Sequence, residues 1–429
     1  MQENAALALL PDLVIKSRDP SAETEAMFGL AAWASQFTPA TALDLPSTLV
    51  LDVTASLKLF GTPEEIVRRL RTGLRELGFR SAWAVAPTAS AACWFARMSQ
   101  QFVIVDREIL MQKISALPLG ILKSAADLMR DFASLGLETI GDIQSLPRAG
   151  VSRRFGQELL AEIDRGTGQR PDPRTFFKPP AVFLAEIELP AEATQAEALL
   201  FASRRLLLQL EGFLIARSSG IERFTLKLLH RTSSSEVHVG MLSPSRDVEH
   251  FSRLLRERLG TSTLKEPVRA LAIVADSVRP LRTDSGDLFI DESISIGNWK
   301  SLVDQLRSRL GEKSVHGLSA HSEHRPELAS IPTDPGAIQL QLALEGRPLW
   351  MLEVPRPIKP VDQYPGTADR IQLVSGPERI ESGWWDGRDF IRDYFVARTP
   401  DQSLLWIYQE RPVASRGQKG SWYLQGIFS

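Results

Sequence analysis

The stretch from Leu49 to Gly61, LVLDVTASLKLFG, constrains the fold more than any other part of the chain. Its first half is apolar and β-branched and reads as a buried strand. Its second half runs into a helix whose start is marked by Thr62, Pro63 and Glu65. Thr62 can cap the first free N–H groups, Pro63 suits the first turn, and Glu65 closes a capping box. The helix is amphipathic over 64–77 and stops at Gly78, a residue suited to a left-handed cap. Around this seed, residues 1–112 read as alternating strands and helices. A helix is expected over 22–35, with Ala26, Leu30 and Trp33 at helical spacing. Residues 41–45 and 49–54 form a hairpin around Pro46 and Ser47, and 82–86 and 102–105 are further short strands. The pattern suits an antiparallel sheet backed by helices, in an α+β class.

A chain of 429 residues has room for two to four domains, each with its own core. The net charge is −2, so a nucleic-acid surface has to come from local patches. The single cysteine excludes an intrachain disulfide framework and fits a reducing compartment. It lies in the helical pattern SAACWFAR (90–97), where core packing is the better reading than nucleophilic catalysis. No run of eighteen apolar residues occurs, so no membrane span is expected. The start has no basic region followed by an apolar one, so no secretory signal is expected and the cytoplasm is the default.

Residues 113–180 read as mostly helical. Residues 181–325 give strand, helix, two strands, helix, strand, helix. Phe224, Leu226 and Leu228 alternate with Thr225, Lys227 and Leu229, and 236–242 is the expected hairpin partner. Phe251, Leu254, Leu255 and Leu259 form one apolar stripe, with Arg253, Arg256 and Arg258 off it. Residues 326–348 have the Pro, Ser, Gly and Thr-rich character of a linker. In 349–429 the composition shifts: all four tyrosines and five of the nine tryptophans lie there. Strands over 393–396, 404–409 and 422–427 indicate a small β-rich module. Most of its aromatic residues suit a core, with Trp384 and Trp385 as the candidates for an exposed contact. No internal repeat is present.

The segment LPST preceding LVLDVT (45–54) resembles the palm of the Y-family translesion DNA polymerases. It is closest to the ImuB branch, polymerase-like subunits that have lost catalytic carboxylates. The closing segments SGPERIESGWW (375–385) and RDYF (392–395) resemble the C-terminal region of ImuB proteins. The resemblance implies a partial palm with a remnant of the fingers over 1–112 and a helical thumb with a helix–hairpin–helix over 113–180. It implies a little finger over 181–325, then the linker and a C-terminal ImuB-type module over 349–429. The first palm strand has no counterpart, which leaves open a shortened chain or a start assigned too far downstream.

Registered on Asp52, the metal-binding Asp-Glu pair of that family falls on Ser47 and Thr48. A hydroxyl pair cannot hold two Mg²⁺ ions as carboxylates do. Asp44 and Asp52 are near in sequence, but strand alternation does not make them converge. No catalytic residue and no cofactor is therefore assigned. In the thumb, LGLETIGDIQSLP (135–147) reads as a helix ending at Gly136, a tight turn, and a new helix capped by Thr139. Units of this kind offer backbone N–H groups, here around Gly136, Thr139 and Gly141, to one phosphate without reading bases. Arg148, Arg153, Arg154, Arg165 and Arg170 follow and can engage neighbouring phosphates; an ordinary turn with a solvated basic face has the same pattern. In the little finger, Arg223, Lys227 and Arg231 share one side of a strand. The segment SPSR ending at Arg246 starts the next helix, where free N–H groups favour an anion. A solvated basic strand face without any ligand is equally compatible with this spacing.

Three further patterns are weaker. Gln341, Leu342 and Leu344 fit loosely the short peptides that dock in bacterial sliding clamps, although Glu345 departs from that pattern. His321 and His324 lack further ligands of the usual types for a metal site. The segment 166–168 is too short for a phosphate-binding loop. The resemblance thus implies a noncatalytic subunit of a damage-induced (SOS) translesion mutasome. It would contact primer–template DNA by the backbone and recruit the sliding clamp, an ImuA-like protein and an error-prone C-family polymerase. The alternatives are an active Y-family polymerase and a protein-binding adaptor without DNA contact.

Overall fold

The computed structural model describes residues 8–10, 13, 15, 17–281 except 263 and 265, 291–335 except 322, 347–358 except 349, 371–411 except 386 and 388, and 420–428. Side chains are described from residue 299 onward in the helix that begins at Asp291. The fold is α+β and divides into two compact units, Met1–Arg309 and Leu310–Ser429.

In the first unit, helix α1 (Pro20–Ala34) starts where the Asp19 carboxylate accepts from the amides of Ser21 and Ala22, both at 3.0 Å. Strands β1 (Thr41–Asp44) and β2 (Thr48–Leu51) form the expected hairpin, with Asp44 opposite Thr48 and Leu45, Pro46 and Ser47 in the turn. The second strand ends early because Asp52 turns its carboxylate onto the Thr54 amide at 3.0 Å. Helix α2 (Pro63–Glu76) is capped by Thr62 and followed by Gly78 at φ +79°. Glu65 does not reach back to close a capping box. Its carboxylate is taken by Arg68 and Arg69 at 2.7–2.8 Å, and these pairs draw its pKa down to about 2.

The strands expected over 82–86 and 102–105 reduce to one parallel bridge between Val85 and Val103. An extended segment becomes a strand only beside a partner, and no other described strand pairs with either. The hairpin instead borrows residues from far away: Phe177 N–H donates to Thr41 O at 2.7 Å.

The next core joins α3 (Ala89–Arg97), α4 (Arg107–Ser115), α5 (Met129–Leu135), α6 (Ile140–Ser145), α7 (Arg148–Phe155) and α8 (Gln157–Thr167). Trp94 lies flat where a Cβ on Gly166 would collide with it, which brings α3 and α8 into close approach. Packing therefore runs across the expected boundary at residue 112. Cys93 is buried, as its helical pattern implied, and burial pushes its thiol pKa up.

Strand β3 (Phe183–Ala193), helix α9 (Ala196–Ala216), strands β4 (Ser219–Leu229) and β5 (Ser234–Ser245), helix α10 (Val248–Thr261) and strand β6 (Val268–Ala275) follow the order read from the sequence. The antiparallel sheet runs β3-β6-β4-β5, with β7 (Val278–Pro280) added to β4. Phe224, Leu226, Leu228 and the α10 stripe are buried in one core against α9. Helix α11 (Asp291–Leu310) is tied in by Asp304. That side chain accepts from the Leu242 amide at 2.9 Å and lies 3.1 Å from His250 Nε2 in a buried pair.

Helix α1 packs on α9, joining the hairpin region to the sheet domain. Trp33 is the wedge at this junction, 6% exposed, and a Cβ on either Gly73 or Gly212 would overlap its indole. Two glycines on two helices thus make its slot.

The expected linker over 326–348 is partly structured. Within the second unit, β8 (Gly317–Ala320) pairs with β9 (Ser330–Thr333), and Glu327 bridges to Arg392 at 3.0 Å. The pairing of 317–320 with 330–333 sets the boundary before them, not at residue 325. The module is a five-stranded antiparallel sheet in the order β10 (Trp350–Ile358), β14 (Trp422–Ile427), β13 (Leu404–Arg411), β12 (Phe390–Arg398), β11 (Gln372–Ser382). Tyr394 stacks on Trp406 at 4.3 Å, and Tyr408 on Tyr423 at 5.1 Å, so the aromatics build a core. Trp350 and Trp384 are the exceptions, at 68% and 78% exposed, with Trp385 half exposed.

Candidate nucleic-acid interface

At the palm-like hairpin, Ser47 is exposed in the turn and Thr48 opens the second strand. Asp44, directly across from Thr48, is the nearest acidic side chain of the hairpin. Both of its oxygens are occupied: Oδ2 accepts from Arg97 and Oδ1 from Lys123, each at 2.7 Å. Asp52 lies at the far end of β2, four residues from Thr48, or about 13 Å along a strand. It serves as a local cap there, and its hydrogen bonds to Thr54 depress its pKa. Asp44 and Asp52 do not converge. Among the described residues, those at the hairpin do not fit a pair of divalent ions. Two hydroxyls, a carboxylate saturated by two cations and a distant cap supply neither the ligand number nor the charge. Sequence reasoning missed Arg97 and Lys123, which lie 53 and 79 positions from Asp44 with no local pattern to mark them.

The hairpin over 135–147 has the expected elements. Gly136 adopts the left-handed conformation after α5, and Thr139 caps α6 in a capping box with Asp142. Its amides from Gly136 to Ile140, however, already have acceptors. Asp142 accepts from the N–H groups of Glu138 (3.0 Å) and Thr139 (2.8 Å), and these bonds hold its carboxyl below the usual range. Ile140 N–H donates to Leu117 O at 2.9 Å, and Gly136 and Leu137 donate back into α5. Gly141 has a packing reason to be small, since a Cβ there would lie 2.9 Å from Ser115 O. An internal carboxylate thus occupies the Glu138 and Thr139 amides of this turn. The arginines fare differently. Arg148 pairs with Asp164 at 2.6 Å and Arg165 with Glu158 at 2.7 Å, whereas Arg153, Arg154 and Arg170 are exposed.

On the sheet domain, Arg223 and Lys227 do share the outer face of β4. Register places Glu236 beside Lys227 on β5, and the pair lies at 3.2 Å. Across β6, the same face continues on β3 to Glu186 and Glu188. Arg231 falls beyond the strand and approaches Glu192 at 3.1 Å. This face is mixed in sign, not a basic track. Residues 243–245 end β5 instead of beginning a helix, and Arg246 follows the strand; α10 starts at Val248 and is capped by Asp247, whose carboxylate takes the Glu249 amide at 2.9 Å. Arg246 therefore marks no open helix N-terminus.

Gln341, Leu342 and Leu344 lie outside the described residues. Glu323, between His321 and His324, is engaged by Arg325 at 2.8 Å, which lowers its pKa to about 2. Among the described residues no group of three or more His, Cys, Asp or Glu side chains is placed to hold a metal ion. None of the described helices is long and apolar enough to cross a membrane.

No family model matches the chain. It is 27% identical over 448 residues to Protein ImuB of Caulobacter vibrioides, covering 99% of this chain and 97% of that protein. It is 28% identical over 128 residues to DNA polymerase IV of Neisseria meningitidis, covering 28% of this chain and 36% of that one. Among solved structures, a ternary complex of Dbh DNA polymerase aligns with 65% of the chain and 82% of its own, at 15% identity and a TM-score of 0.35. DinB from Sulfolobus solfataricus aligns with 64% and 82%, at 17% identity and 0.34. With its similarity to Protein ImuB running nearly end to end, the chain is an ImuB-like homologue of the Y-family DNA polymerases.

Proposed function

We propose that this chain is a noncatalytic, polymerase-like subunit acting in DNA-damage tolerance, which holds primer–template DNA and brings a sliding clamp and an error-prone polymerase to it. One observation carries the noncatalytic part. Where two-metal phosphoryl transfer requires converging carboxylates, the hairpin offers Ser47 and Thr48 beside an Asp44 already neutralised by Arg97 and Lys123. Exposed Arg153 and Arg154 in the last turn of α7 support backbone contact, since guanidinium forks suit phosphate oxygens. Several weak contacts on one chain raise the effective concentration of a synthesising enzyme at a lesion without any chemistry of its own. An ImuA-like protein and a C-family polymerase are the partners this reading assigns, with the exposed Trp384 as a contact on the C-terminal module.

The purified chain, mixed with labelled primer–template, Mg²⁺ and all four deoxynucleotides, is expected to bind the duplex and leave the primer unextended. Changing Arg153 and Arg154 together to Glu should flatten the slope of log affinity against log salt by about 2, the share of two phosphate contacts. Template-directed extension removes the noncatalytic reading, and an unchanged slope removes this surface. For the clamp, replacing Gln341, Leu342 and Leu344 by Ala should abolish capture of the chain on immobilised sliding clamp; undiminished capture rejects that peptide.

A further inference from the structure

A second basic surface lies on α2, away from the thumb arginines. Arg68, Arg71 and Arg75 stand at i, i+3 and i+7 and therefore share one helix face. Arg80 follows just past the Gly78 stop. With Phe79 and Trp83 they line two adjoining clefts of about 260 and 370 Å³, which share Arg71 and Arg75. Glu64 is the single carboxylate residue in either lining. Arg68 is partly neutralised by Glu65. Among the described residues, Arg71, Arg75 and Arg80 make no ion pair. The Arg71 guanidinium lies over the Trp83 ring at 5.7 Å, and the Trp83 indole N–H is buried without an acceptor.

This arrangement is unfavourable by itself. Like charges at helical spacing repel, and a buried donor without a partner costs free energy. A bound polyanion relieves both in one step. We propose that this cleft binds the backbone of single-stranded nucleic acid. Arg68 to Arg75 spans about 10 Å along the helix, the axial length of about three nucleotides. The Trp83 ring beside these guanidinium groups suits a base next to its phosphates, whereas an acidic peptide would use the charges alone. The inference rests on the proposed nucleic-acid role but assigns the single strand to a surface separate from the duplex contact.

The test uses the full chain and fluorescence anisotropy with a labelled oligothymidine, beside the labelled primer–template duplex. Replacing Arg71, Arg75 and Arg80 together by Gln is expected to weaken oligothymidine binding. The log–log salt slope should fall by about 2, three contacts on a single strand, with duplex binding kept. The R153E/R154E variant should show the opposite pattern. Trp83→Phe keeps the packing and removes the donor, and is expected to weaken the oligothymidine less than the triple change. Far-UV circular dichroism confirms that each variant is folded. Oligothymidine affinity unchanged in the triple variant overturns the proposal while the duplex reading stands. Equal competition by polyglutamate of matched charge also overturns it, in favour of an acidic protein segment. Failure of the native chain to bind either nucleic acid removes both readings.

Discussion

Replacing Trp33 by Ala is expected to destabilise the first unit by about 3–5 kcal/mol, the usual range for deleting a buried large aromatic side chain. The unfolding temperature of that unit should fall on the order of 10 °C. The effect is large because Trp33 packs across three helices: its own α1, α2 at Gly73 and α9 at Gly212. Gly212→Ala attacks the same joint from the other side. Its added methyl has no room beside the indole and should cost about 1–3 kcal/mol by overpacking. Since both changes act on one slot, the double variant should be less destabilised than the sum of the two, by about 0.5–3 kcal/mol. Scanning calorimetry supplies the numbers. A W33A protein that melts with the native one would show that α1 and α9 are not held together there.

The second large effect concerns Asp393 in the C-terminal module, whose side chain is 2% exposed and is held by Arg379 at 2.8 Å and by Arg411. Changing both arginines to Met leaves a buried carboxylate without a counter-charge and should cost about 3–5 kcal/mol. Asp393→Asn should cost less, because the two arginines are half exposed and can return to water. The same pair gives a pH dependence. Arg379, then Arg411, hold the folded-state pKa of Asp393 below its ordinary value, near about 3.9 when unfolded. The stabilisation is therefore complete above the unfolded value and is lost as the pH falls through the folded one. Acid titration of the native module should show a stability loss beginning below about pH 4. In the double Met variant the deficit should narrow over that range, as protonation removes the buried charge. A deficit constant from pH 7 to pH 3 would assign the cost to packing instead.

Local signals carried most of the elements. Thr62, Pro63 and Gly78 bounded α2 to within a residue or two, because caps and stops act through neighbours in the chain. Alternation at Phe224, Leu226 and Leu228, and the stripe from Phe251 to Leu259, placed the sheet domain and its core correctly. Where a side chain had several local options, the reading slipped. Glu65 had two arginines within four residues as competitors for its carboxylate, and they won over the cap. Residues 82–86 had strand composition but no neighbouring strand to complete a sheet.

The candidate site was less legible for the same reason on a longer scale. The hydroxyls at Ser47 and Thr48 were visible at once, but the cations that saturate Asp44 arrive from α3 and from the turn around Lys123. Glu186, Glu188 and Glu236, which cancel the apparent basic stripe on β4, come from other strands and enter only through register. Arg71 and Arg75 fall on the polar side of the amphipathic helix α2, and Arg80 lies just past its end. What the periodicity cannot convey is that Glu65 is taken by Arg68 and Arg69, and that neither Glu64 nor Glu76 forms an ion pair with Arg71, Arg75 or Arg80 among the described residues.

The lone thiol has a practical consequence. Cys93 is enclosed beside Trp94 and biased toward its protonated form, so electrophilic reagents at neutral pH should pass it by. A cysteine introduced at an exposed position such as Ser47 or Gln157 would be the one handle that takes a fluorophore or spin label. Distances from such labels to an added duplex can then be followed without first removing a native cysteine.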